Sequence, residues 1–227
     1  AATWAQHKDA DYPIYLRDNE GGHLGTGKDL AQCPHVFPFD DTKYKHAKEQ
    51  PLSWHHENYD SATLNMAEVR KDYMAERALG MTSGPYYTNA DLQHFLGTKE
   101  LSTIPLGSKD EGLQSDGTVK RRNIQDGNRA GLSGLIHKHT WTKGELPGIQ
   151  DQRHGMAVCH QTRTKIITLK FDIRKAHRRT AVPRHEWRYL VVTLYDRHGR
   201  PEWWVNLVHT YGVASAQHYW GRTAALF

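Results

Sequence analysis

The chain has 227 residues, room for one large domain or two small ones. It is 37% hydrophobic, 10% aromatic and 24% charged, with 19 Gly, 9 Pro, two Cys and a mean hydropathy of −0.77. No apolar run reaches the ~18 residues of a transmembrane helix, two cysteines cannot staple a disulfide-dense scaffold, and the aromatic content is high for a disordered chain. The net charge of +5, a pI near 9.1 and 16 His suit an anionic partner: RNA, an acidic protein or anionic lipid headgroups.

In chain order, residues 13–16 form a short apolar run closed by the turn-like residues 17–22. Pro34 and Pro38 keep residues 33–39 out of a helix. The spacing predicts the main helix over about 61–79, started by Asp60 or Ser61, with Leu64, Ala67, Tyr73, Met74 and Ala78 near helical period and Gly80 beyond its end. A second short helix is expected over 89–96, stopped by Gly97.

From 97 to 148 repeated glycines leave almost no periodicity. Ordering such backbone costs much entropy, and its own side chains offer little in return. Neighbouring molecules are therefore the expected source of its order.

The last third is richer in strand formers. Ile167, Leu169, Phe171 and Ile173 alternate with polar residues, and residues 187–195 are apolar on both faces. Residues 196–200 read as a hairpin turn, with a return strand over about 202–209. The expected fold is α+β: a long irregular N-terminal part (1–150) with one main helix, and a small antiparallel sheet in the C-terminal third (151–227). Trp203 and Trp204, adjacent in a strand, face opposite ways. With Trp220 they are candidate partner-binding residues, because Trp buries much area at interfaces.

Residues 22–29 approach the phosphate-loop pattern, but Asp29 stands where a hydroxyl is needed, and residues 29–34 leave no room for the helix that must follow. This is read as a Gly-rich turn. Gly131 to His139 ends in His-x-His, whose two rings would lie on one side of a strand and could share a metal. The run resembles the first motif of the cupins over about fifteen residues. That resemblance implies a double-stranded β-barrel with a metal on His137 and His139. Glu145, the nearest acidic residue, comes a residue or two late, and no second cupin motif follows. A metal-dependent hydrolase on this pair would draw on His154, His160 or Glu145 as further ligand or base. Cys33, His35, Cys159 and His160 do not have the spacing of a structural zinc site. Residues 54–57 offer no nucleophile beside their histidines.

Two basic clusters remain: residues 120–122 with Arg129, and Arg174 to Arg179, of which Arg174, Arg178 and Arg179 are the candidate partner-binding cations. Near Tyr and Trp, such clusters suit RNA phosphates and stacked bases. No complete catalytic signature emerges, so no catalytic residue and no cofactor is assigned. Three expectations are carried forward. The first is a non-catalytic accessory subunit among other protein subunits of a large assembly. Its setting would be mitochondrial, since Ala1 is what a cleaved presequence would leave, or else cytoplasmic. The second is an RNA-binding component of a ribonucleoprotein particle. The third is the hydrolase on His137 and His139.

Overall fold

The computed structural model describes residues 9–27, 29–30, 33, 56–136, 149–165, 167 and 172–225. The architecture is mixed α+β. Helix α1 (Tyr12–Asp18) carries Pro13 in its first turn, where the missing N–H is not needed. Helices α2 (Asp60–Thr63) and α3 (Met66–Ala78) occupy the span expected to be one helix. The break falls at Asn65, which has left helical geometry and returns its side-chain amide to the Ser61 carbonyl at 2.8 Å. The buried face of α3 is Val69, Tyr73 and Glu76, at helical spacing, while the expected Leu64 and Met74 face solvent. Helix α4 (Asn89–Leu96) ends at Gly97 in left-handed geometry, as read from the sequence, and starts at Thr88, whose hydroxyl accepts from the Asp91 N–H.

Strand β1 (Thr82–Tyr86) is one edge of a three-stranded antiparallel sheet in the order β1-β5-β4, with β4 at Val191–Tyr195 and β5 at Pro201–Asn206. Asp196 closes the β4–β5 turn by accepting from the His198 and Arg200 N–H groups, and Gly199 supplies a φ of 74°. Strand β4 starts later than expected. Behind Pro183, residues Arg184–Tyr189 wind into a 3-10 helix, which takes Trp187 and Tyr189 out of the strand. The third strand, expected from residues 167–173, is supplied by β1 instead. Ile167, Asp172 and Ile173 are outside any strand, and most of that span lies outside the described residues. Strands of one sheet thus come from both sides of residue 150.

A second, two-stranded sheet pairs β2 (Leu106–Leu113) with β3 (Val119–Gln125). Short helix α5 (Leu132–Leu135) follows it, then helix α6 (Ile149–Gln161) and, near the C-terminus, α7 (Ala214–Ala224). The hairpin lies within the glycine-rich span expected to need neighbours. That expectation is corrected for much of the span. Leu101, Ile104, Leu106, Leu132 and Ile136 are each at most 2% exposed. Each such side chain contributes roughly 1.5–3 kcal/mol on burial, which offsets the ordering entropy that the glycines raise.

Among the described residues the core has three parts. Val69, Tyr73 and Leu106 cover one face of β4–β5 through Val192, Leu194 and Trp204. Leu92, Leu96 and Leu101 cover the other through Val191 and Val205. A third part joins Tyr12 and Leu24 to Ile104, Leu132, Leu190 and Tyr219. Beside it Arg222 of α7 grips Asp9 with two bonds, at 2.7 and 3.0 Å, and lies over the Tyr12 ring. The glycine-rich turn at 21–25 is packed for contact. A Cβ at Gly22 would stand 2.7 Å from the Tyr219 ring, and one at Gly21 would stand 2.3 Å from the Ala181 carbonyl oxygen. Among the described residues no helix is long and apolar enough to cross a membrane.

Candidate nucleic-acid interface

Strand alternation divides the charges of β3 between two jobs. On one face Arg121 pairs with Asp110 at 2.8 Å and also donates to Asn65. Asn123 donates to Asp72, and Gln125 donates to the Tyr73 hydroxyl. That face holds the hairpin against α3. On the other face Arg122, exposed, lies with its guanidinium 5.0 Å from the centroid of the Tyr211 ring. Glu111 bridges the Arg122 and Lys120 cations at 2.7 and 3.2 Å.

Tyr211 is locked in place by its own backbone. Its carbonyl accepts the Gln125 N–H at 3.0 Å. Gly212 follows with a φ of +95°, where a Cβ would fall 1.9 Å from the Gln125 carbonyl oxygen. Only glycine fits so close an approach. The second basic segment reaches the same ring. His177, in the 3-10 helix Ala176–Arg178, packs edge-on against Tyr211 with centroids 5.2 Å apart. Burial lowers the His177 pKa, and the nearby Arg122 cation lowers it further, so the imidazole is held neutral.

Gly212, with Tyr59, Gly107, Lys109, Ile124 and Asp126 among others, lines an open cavity of about 400 Å³. The Arg129 guanidinium stands 5.1 Å from the centroid of the Tyr59 ring. The Tyr59 hydroxyl donates to Asp126 at 2.5 Å. That bond, helped by the backbone N–H groups of Asn128 and Arg129, holds the Asp126 carboxyl below the usual range. Two tyrosines, Tyr59 in the cavity lining and Tyr211 next to the lining residue Gly212, thus each carry an arginine over the ring. Such aromatic and guanidinium planes stack on bases, and the cations meet phosphates.

The sequence-derived candidates separate. Arg174 and Arg179 are exposed and joined by an Arg179 Nε bond to the Arg174 carbonyl at 3.1 Å. Arg178 is turned inward. It is 4% exposed and donates to Glu76 at 2.5 Å and to Asn206 at 3.0 Å, while Lys175 takes the other Glu76 oxygen at 2.6 Å. Trp204 is fully buried beneath Tyr73 and donates to Glu202, so it is a core residue. Trp203 and Trp220 are half-buried, and Trp203 packs on the α4 side of the sheet, opposite Trp204. His137, His139 and Glu145 lie outside the described residues. The described part of the cupin-like run forms a short helix at Leu132–Leu135 and no barrel strand. His154 and His160 are exposed on α6.

Two features carried no sequence signal. Tyr211 and Tyr59 are brought to the basic clusters only by the fold. His23 and the adjacent pair His185 and Glu186, far from it in the chain, present one ligand atom each within 4.8 Å of one another. No family model, no curated protein and no solved structure matches this chain.

Proposed function

We propose that the chain is a nucleic-acid-binding protein that engages single-stranded RNA or DNA along the surface from Arg129 and Tyr59 to Arg122, Tyr211 and the 174–179 segment. One observation carries the reading: two basic segments, more than fifty residues apart in sequence, meet on a single tyrosine, Tyr211. Arg178 leaves the binding set, and Arg122 and Arg129 join Arg174 and Arg179 in it. Phosphates would meet the cations, and unstacked bases would meet the tyrosine rings. Fluorescence anisotropy with a labelled single-stranded RNA tests it. Binding should fall on the Tyr211→Leu and Arg122→Ala substitutions. It should exceed binding to anionic phospholipid vesicles, which carry the same phosphate charge but no bases. Equal affinity for vesicles, or RNA binding indifferent to both substitutions, would overturn the reading.

A second reading, the accessory subunit held among other protein subunits, keeps support from α6. None of its residues is buried, and Ile149, Met156 and Val158 stand 41–63% exposed. Such apolar area on a charged protein is the kind a partner covers. A mitochondrial setting belongs to this reading. Cross-linking from α6 to a stoichiometric protein partner would favour it over the first.

A further inference from the structure

We infer that His23, His185 and Glu186 form a binding site for a divalent transition-metal ion of the zinc class, clipping the buried 21–26 turn to the 3-10 helix Arg184–Tyr189. The site uses none of the residues assigned to nucleic-acid binding, so the two readings stand or fall separately.

The donor set is what such an ion selects: two imidazoles and one carboxylate, with room left for water or a further ligand. The three ligand atoms lie within 4.8 Å of one another. Tetrahedral zinc at ~2.1 Å from each donor wants them roughly 3.4 Å apart. Closing that gap requires at most ~1.4 Å of side-chain movement, and His185 is exposed. The two histidine rings already lie with centroids 5.5 Å apart.

The surroundings are prepared for a cation. Glu186 is 1% exposed, and burying a carboxylate is costly unless its charge is matched. Its Oε2 accepts the Leu24 N–H at 2.7 Å, and its Oε1 accepts the Thr26 hydroxyl at 2.8 Å. Its ion-pair partner is His23, whose Nδ1 stands 3.4 Å from Oε2. A divalent ion would supply positive charge at this point. The two hydrogen bonds fix the carboxylate's orientation, the service that outer groups perform around metal ligands. Glu186 is thus preset by the turn, His23 stands beside it, and His185 waits at the surface. The consequence is mechanical: the ion would fasten the turn carrying Leu24 to the helix carrying Tyr189, both members of the same core cluster.

The test uses the untagged full chain, stripped of metal and titrated with Zn²⁺ by calorimetry and with Co²⁺ by visible absorption. The expected result is one equivalent bound, a Co²⁺ spectrum of low-coordinate type, and a rise in Tm with zinc. His185→Ala, at an exposed position, should keep the circular dichroism of the parent and lose both the equivalent and the Tm rise. Thr26→Val, which removes one of the two bonds that orient Glu186, should weaken binding about tenfold or more. Absence of binding to the parent overturns the inference. So does binding that His185→Ala leaves unchanged, since the ion would then sit on other histidines.

Discussion

The described residues hold two antiparallel hairpins, and they are opposites. In β4–β5 six of the eleven strand residues are Val, Leu or Trp. Helices cover both faces, and Leu194, Trp204 and Val205 are wholly buried. In β2–β3 the strands are written in Lys, Asp, Glu and Arg, and Leu113 near the tip is 76% exposed. The first is held by the hydrophobic effect and serves as foundation. The second is held by its ladder, by cross-strand ion pairs such as Arg121–Asp110, and by one face set against α3. Its other face is free to present charge. The same topology is thus spent once on stability and once on display, and substitutions in the two should act on different observables.

The largest expected effects lie under β4–β5. Trp204→Ala should lower unfolding free energy by about 3–5 kcal/mol in denaturant titration, the usual cost of emptying a large aromatic site. A change below ~1 kcal/mol would mean that this core is not what the burial implies. Glu76→Ala should cost a similar ~3–5 kcal/mol, because it leaves the buried Arg178 cation without its carboxylate.

Next comes acid. His209 and His218 are buried, and desolvation lowers their pKa values to about 4 and about 3. Each therefore takes up a proton more readily unfolded than folded. Stability is present above the unfolded value near 6.5 and is lost as pH falls from there toward the folded values, by up to about 1.4 kcal/mol per pH unit for each histidine. His209→Gln should flatten part of that slope in Tm measured between pH 7 and pH 4.5. An unchanged slope would contradict the burial of its neutral form, whose Nε2–H donates to the Gly22 carbonyl at 2.8 Å.

On the display side the affected observable changes from stability to binding. Arg122→Ala should change stability by no more than ~0.5 kcal/mol while weakening RNA binding. A large loss of stability would make Arg122 a structural residue and erase the contrast between the hairpins.

The foundation was the more legible of the two. The turn at 196–200, the stop at Gly97 and the opposite facing of Trp203 and Trp204 follow from local chemistry. The display hairpin was hidden because its strands carry no alternation of apolar and polar residues. Their pairing rests on cross-strand charges that a linear reading cannot match. Strand β1 was hidden by Gly84 and Pro85 within it, and it earns its place by pairing with β5. Basic residues at 120–122 and 174–179 could be seen, but not that Arg178 turns inward to Glu76 while Arg122 turns outward to Tyr211. Those outcomes depend on contacts between residues far apart in the chain.

The central claim is that the outward face of β3 and the 174–179 segment act together on a polyanionic strand. The most direct measurement is the salt dependence of single-stranded RNA affinity for the parent chain and for the Arg122→Ala, Arg179→Ala double variant. The parent should lose affinity linearly in log–log terms, and the variant's slope should be shallower by about 1 to 2, one counterion per phosphate contact removed. Identical slopes, or affinity that salt does not alter, would contradict it.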